Sequence, residues 1–244
     1  ALGQPVLFWM LFGAGLHSSF VLETASDQSV SYQEYFFPGV MVMIVLFTAI
    51  FSTISIIEDR KEGVLQSVLV APVSRSAMVA GKLLGGTLIA LAQALLFLGL
   101  GWLGGTLGWW SWGFNLGPAS LLATVALLFV LGFALCGLGF LLAWKMDSTQ
   151  GFHAVMTVFL MPMWLLSGAF FPADGWLSWV IRANPLTYGV AALRRTLYWN
   201  AASAPLPEGL PSLEIGWIVT LAFAAVTFLL CRRVASERIT GDLL

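Results

Sequence analysis

Apolar residues run along this chain in blocks too long and too unbroken for a soluble core. About 20 apolar residues in helix cross the hydrocarbon of a bilayer. Six blocks reach that scale, at about 3–22, 38–57, 77–101, 118–143, 151–171 and 213–231. Prolines punctuate them. Pro5 lies in the first turn of the first block, Pro38 opens the second and Pro118 the fourth, places where a missing N–H costs little. Pro162 falls inside the fifth block and predicts a kink, and Pro172 ends that block. The pattern predicts an all-α integral membrane protein of six transmembrane helices, a single domain over residues 1–244.

The segments between blocks set the orientation. Residues 23–37 carry Glu23, Asp27 and Glu34 but no Lys or Arg. The dense charge cluster Glu58-Asp59-Arg60-Lys61-Glu62 follows the second block, and 104–117 is rich in Gly and Trp. With both ends in the cytoplasm, that side holds eight of the eleven basic residues: Arg60, Lys61, Arg75, Lys82, Lys145, Arg232, Arg233 and Arg238. Arg182, Arg194 and Arg195 fall outside. A bias of Lys and Arg towards the cytoplasm is the ordinary rule, so multi-pass insertion in the cell (inner or plasma) membrane with both termini cytoplasmic is expected. Trp102, Trp109, Trp110, Trp112, Trp176, Trp179 and Trp217 cluster at the outer interface of this layout, and an aromatic belt explains them better than a sugar site does.

Composition agrees with the pattern. The chain is 59% hydrophobic and 9% charged, against roughly 25% charged in a soluble domain. A net charge of −1 gives no basic surface for nucleic acid. Cys136 and Cys231 have no metal-ligand or redox spacing and read as packing residues. His17 and His153 lie towards opposite ends of their blocks, so neither a shared metal nor a His-based proteolytic site is expected. The block centres lack ionisable groups, which ion-coupled carriers generally keep. Ala1 leads straight into an apolar block with no basic n-region, so the start is not a signal peptide, and a further N-terminal piece is expected ahead of it.

Three segments carry functional information. In 58–76, Val64, Leu65, Val68 and Leu69 form an apolar stripe at helical spacing, with Pro72 ending the helix and Ser74 or Ser76 able to cap the next. Such a helix suits either docking to a soluble partner or simple interfacial anchoring. In 173–199, Asp174 can cap a short helix with Trp176, Leu177, Val180 and Ile181 on one face, and Asn184 before Pro185 breaks the chain. A pair Arg194-Arg195 at mid-bilayer would cost several kcal/mol, which predicts that 186–199 stays near the outer surface. In the second block Thr48, Ser52 and Ser55 share a face, a candidate conduit wall or chain–chain seam, and Gly81 with Gly85 could allow close helix approach.

The run from Glu58 to Arg75, with Gly81-Lys82 beyond it, resembles the cytoplasmic loop of the ATP-binding-cassette type-2 export permeases. Leu166-Ser167-Gly168-Ala169-Phe170-Phe171-Pro172, followed by Asn184-Pro185-Leu186-Thr187-Tyr188, resembles the same family's span-five exit and its outer signature. The family's cytoplasmic helix before span one has no counterpart here. The resemblance implies a cytoplasmic amphipathic coupling helix, outer re-entrant helices after span five, a partner ATPase subunit and a second permease copy, identical or related. It implies Glu58, Asp59, Arg60, Glu62, Gly63, Leu65, Leu69, Pro72 and Arg75 as the region coupled to the ATPase, and Phe171, Pro172, Asn184, Pro185 and Tyr188 as the outer gate. No G-x-x-x-x-G-K-[ST] loop occurs; in 76–83 Ser76 stands at its first glycine and Leu83 at its Ser/Thr. ATP and Mg are therefore expected on the partner, with no cofactor and no catalytic residue on this chain. The expected function is ATP-driven export of a hydrophobic or amphipathic substrate. A secondary carrier or channel is the alternative, and a membrane-embedded enzyme lacks its constellation.

Overall fold

The computed structural model describes residues 3–15, 22–23, 29–70, 72–110, 116–170, 178–199 and 210–236. Helix α1 (Gly3–Gly15) is followed by a two-residue antiparallel ladder, β1 (Leu22–Glu23) with β2 (Ser29–Val30). Helices α2 (Tyr32–Ser52) and α3 (Ile54–Lys61) run on as one rod bent at Thr53, and α4 (Val64–Val70) turns off it. Then come α5 (Arg75–Thr106), α6 (Pro118–Ala143) and α7 (Thr149–Trp164), whose end unwinds into a π-turn (Leu165–Ala169). The short α8 (Ser178–Ala183) and α9 (Pro185–Leu197) precede α10 (Leu213–Ser236). The fold is helical apart from the small ladder, among the described residues.

Five of these rods are long and apolar enough to cross a membrane: Tyr32–Lys61, Arg75–Thr106, Pro118–Ala143, Thr149–Ala169 and Leu213–Ser236. The first expected block reaches residue 22, and its stretch 16–21 lies outside the described residues. What is described of it is the 13-residue α1.

Helix α2 is the axis of the molecule, with α1, α5, α6 and α9 packed around it and Tyr35, Phe36, Phe37, Val40, Met41 and Val42 fully enclosed. It begins at Tyr32, where Ser31 Oγ accepts the Glu34 N–H at 3.3 Å, and not at Pro38 as the proline suggested. Pro38 sits inside the helix, where it cannot bond the carbonyl of residue 34. That Glu34 carbonyl instead accepts the Tyr198 hydroxyl at 3.5 Å, so the proline costs little. Ser74 caps α5 by accepting the Ala77 N–H at 3.2 Å.

Close helix contact on α5 occurs at Gly86, whose position presses on Ser52 and Cys136, while Gly81 and Gly85 have open space beside them. The expected pair is displaced because the face of α5 that meets α2 and α6 runs through Val79, Leu83, Gly86, Thr87, Ala90 and Ala94. Helix α7 is held mainly at its π-turn end, with Val155, Val158 and Phe159 exposed.

Candidate functional site

At the end of the molecule that carries α8 and α9, the π-turn breaks the hydrogen-bond ladder of α7. Leu166 leaves helical geometry (φ −89°, ψ 18°) and Gly168 takes φ 75°, a conformation suited to glycine. The freed carbonyls are capped by side chains. Asn184 Nδ2 donates to Met163 O at 2.6 Å and to Leu166 O at 3.2 Å, while its Oδ1 accepts the Leu186 N–H at 3.0 Å and caps α9. Ser167 Oγ donates to Trp164 O at 2.6 Å. Tyr35 OH and Arg194 Nη2 both donate to Gly168 O, at 3.1 and 3.2 Å, and Tyr32 OH donates to Phe170 O at 3.1 Å. Trp164 Nε1 closes the knot on Gly39 O at 2.9 Å.

An aromatic cluster surrounds this knot: Phe36 and Phe170 meet edge-on at 5.1 Å, Phe12 and Phe170 at 5.2 Å, and Tyr32 stacks on Phe36 at 5.4 Å. Ser120 ties the start of α6 to Thr196 O on α9. Burial, and after it the nearby Glu34 carboxylate, push the Tyr198 phenol well above its ordinary range, so it stays a neutral donor.

Asn184, Pro185 and Tyr188 therefore meet at this end, with Pro185 opening α9 and Tyr188 OH bonding Arg182 O at 2.9 Å. Phe171 and Pro172 lie outside the described residues, as do Asp174, Trp176 and Leu177. Arg195 is half-buried and bonds Pro211 O and Leu210 O at 2.9 and 3.3 Å. Arg194 departs from the surface placement expected for it, being 0% exposed with its guanidinium carbon 3.9 Å from the centroid of the Tyr35 ring. One carbonyl, that of Gly168, and the Tyr35 ring face receive this charge.

The opposite end carries the charge cluster. Glu58 and Glu62 are exposed, whereas Asp59 turns to Lys82 of α5, which also donates to Ser55 Oγ at 3.4 Å. Arg60 reaches across to the turn after α6, pairing with Asp147 at 3.2 Å, donating to Trp144 O and lying 5.7 Å from the Trp144 ring centroid. Gly63, at φ 75°, makes the corner between α3 and α4. Leu65 is buried, Val64 (45%) and Val68 (38%) form an exposed apolar strip on α4, and Val73 (53%) is exposed beyond it. Pro72 is exposed, Arg75 opens α5 half-buried, and the Leu69 side chain lies outside the described residues.

Between these ends α1, α2, α5 and α7 enclose a groove of about 620 Å³. Phe8, Met43, Phe47, Phe51 and Met161 give it apolar walls, while Gln4, Thr48, Ser52, Gln93 and Thr157 supply polar points and none of the lining residues is charged. Thr48 Oγ1 donates to Gln93 Oε1 at 2.9 Å across the α2–α5 seam. Thr48 and Ser52 thus share one cavity wall, while Ser55 lies a turn beyond it, donating to Ser52 O at 3.1 Å. Phe8 belongs both to the groove and to the aromatic cluster, 6.0 Å from Trp164, so the groove leads up to the knot. Sequence reading did not single out Tyr32, Tyr35, Phe8 or Trp164. A signal for the first two existed, since Ser31 followed three residues later by Glu34 marks a helix start and places both tyrosines in its first turns.

Long apolar rods around a central helix, an uncharged groove, and a broken helix capped by side chains define a multi-pass membrane protein of the transporter type, since irregular backbone at membrane depth is tolerated only inside protein or beside a cavity. The family model for the ABC-2 type transporter matches residues 1–198, and the chain belongs to that family. It is 28% identical over 242 residues to the putative transport permease ycf38 of Cyanophora paradoxa, covering 95% of this chain and 80% of that protein. It is 26% identical over 204 residues to the daunorubicin resistance ABC transporter permease protein DrrB1 of Streptomyces coeruleorubidus, covering 81% and 67%. With the probable multidrug ABC transporter permease YbhR of Escherichia coli (strain K12) it shares 25% identity over 192 residues, 77% of this chain and 50% of that one. The chain is thus a membrane permease subunit of an ABC transporter.

Proposed function

We propose that this chain is the permease half of an ATP-driven exporter, moving a hydrophobic or amphipathic molecule out of the cytoplasm through the α1–α2–α5–α7 groove. On this reading the described part of residues 3–22 belongs to a sixth span, and the protein sits in the cell membrane with both termini in the cytoplasm. Helix α4 with its Val64–Val68 strip is the coupling helix, docking on a separate ATPase subunit that binds ATP and Mg. Glu58 and Glu62 face that partner, while Arg60 and Asp59 pass its motion to the turn after α6 and to Lys82 of α5. Helices α8 and α9 form the outer re-entrant cap. A second permease copy, identical or related, completes the conduit on the open side of the groove, and membrane lipids cover the exposed leucines of α5 and α10.

The observation that carries the reading is the groove itself. Its volume of about 620 Å³ lies within the roughly 300–1,000 Å³ of small-molecule sites. Its uncharged lining suits a cargo with apolar bulk and a few hydrogen-bonding groups, and the similarity to a daunorubicin resistance permease and a probable multidrug permease points the same way.

The test is uptake of a fluorescent amphiphile into inside-out vesicles holding the permease with its ATPase subunit. Uptake is expected to require ATP, and Thr157→Trp, at an exposed position on the groove wall, should reduce it by about tenfold or more by filling the groove, while the ATPase subunit still copurifies. Uptake by the permease alone, without an ATPase subunit, would make it a secondary carrier instead.

A further inference from the structure

The capping of the π-turn is uneven in a way that stability alone does not explain. Its carbonyls must be bonded, because a naked carbonyl in an apolar setting is costly. Asn184, Tyr35 and Tyr32 meet this need with neutral groups. Arg194 adds a second donor to Gly168 O, which Tyr35 already bonds, and brings a full charge into the interior to do so. Among the described residues it makes no ion pair, although the buried Glu34 carboxylate acts with it on Tyr198, and its Nε and Nη1 are buried with no hydrogen-bond acceptor. A guanidinium presents five N–H donors, so most of its hydrogen-bonding capacity is unspent in this arrangement. A buried charge lacking a carboxylate generally weakens a fold compared with an apolar side chain of the same size. The Tyr35 ring at 3.9 Å repays part of that cost by cation–π attraction.

Resting on the export reading, we propose that Arg194 is a positioning residue that acts as a preloaded latch on the exit. In the closed arrangement it rests between Gly168 O and the Tyr35 ring with Nε and Nη1 unbonded, a placement that costs the closed state more than it returns. When the ATPase subunits drive α2 and α7 apart, water reaches Nε and Nη1, and the hydration gained offsets the loss of one carbonyl bond and one ring contact. The closed state is thereby kept shallow, and the energy needed to open the exit falls. Tyr35 belongs to the central helix and Gly168 to the end of the rod beside the groove, so the latch joins the two elements that flank the cargo path.

The experiment compares the wild-type complex with Arg194→Met and Tyr35→Phe, reading thermal unfolding, ATP hydrolysis and amphiphile uptake in the same vesicles. Arg194→Met should raise the unfolding temperature by a few degrees, as removal of a buried charge with no carboxylate in contact does. It should lower uptake by about tenfold, because a neutral side chain deepens the closed state. Tyr35→Phe keeps the ring and removes the competing hydroxyl, so uptake should stay within about twofold of wild type. An Arg194→Met protein that unfolds at lower temperature, fails to fold, or takes up cargo at the wild-type rate overturns the latch. A Tyr35→Phe protein as inactive as Arg194→Met also overturns it, by showing that the whole knot is simply structural. Absence of ATP-driven uptake by the wild-type complex overturns the export reading instead.

Discussion

Gly39→Val should leave a chain that inserts but does not hold its α8–α9 end together, with a loss of about 3 kcal/mol in stability. A Cβ at Gly39 would lie 2.4 Å from the Ala169 carbonyl oxygen and 3.0 Å from the Ala169 Cβ, contacts that backbone cannot relieve by a rotamer change. Its own carbonyl also receives the Trp164 indole N–H. Moving α2 away to make room would break that bond and lengthen those from Tyr35 and Tyr32 to the π-turn. Unfolding in detergent, followed by tryptophan fluorescence, measures the loss directly. Retention of wild-type stability would mean that α2 and the π-turn do not touch as described.

Val64→Asp combined with Val68→Asp should weaken binding of the ATPase subunit by about a hundredfold while leaving the permease folded. Both valines are exposed on α4, so the isolated chain loses little by the change. Against a partner, each carboxylate would have to be buried without a counter-charge. Copurification at graded salt distinguishes this from the effect of Glu58→Lys, which acts through screened charge and should be modest. Arg60→Ala should behave differently again. Its side chain faces Asp147 and Trp144 rather than the exterior, so binding of the partner persists and the coupling of hydrolysis to uptake falls.

Much of this architecture was legible in the residue pattern because lipid enforces simple rules. Uncharged stretches of bilayer length announced the rods, and Asn184 before Pro185 announced the break between α8 and α9. The apolar stripe at Val64 and Val68 lies on a helix, and Thr48 and Ser52 share a cavity wall. What stayed hidden depended on which distant segments meet. Arg194 looked like a surface residue because its partners, Tyr35 and the Gly168 carbonyl, come from other parts of the chain and exist as a site only when α7 ends in a π-turn. Pro38 looked like a helix start because nothing local shows that Tyr198 will satisfy the carbonyl it leaves open. Gly81 and Gly85 looked like a contact because spacing names a face without saying which way it turns.

On the export reading, the length of α5 would make bilayer thickness a variable of the mechanism. At about 1.5 Å per residue its 32 residues extend about 48 Å, against roughly 30 Å of hydrocarbon. Exposed leucines recur from Leu84 to Leu107, so the greasy flank is itself longer than the slab it must match. Thinning the slab should therefore lean this rod further over, with the Lys82–Asp59 pair carrying the tilt to α3. Acyl-chain length is expected to act on the junction that carries the charge cluster, with vesicles of short- and long-chain lipids supporting different cargo rates at equal ATP.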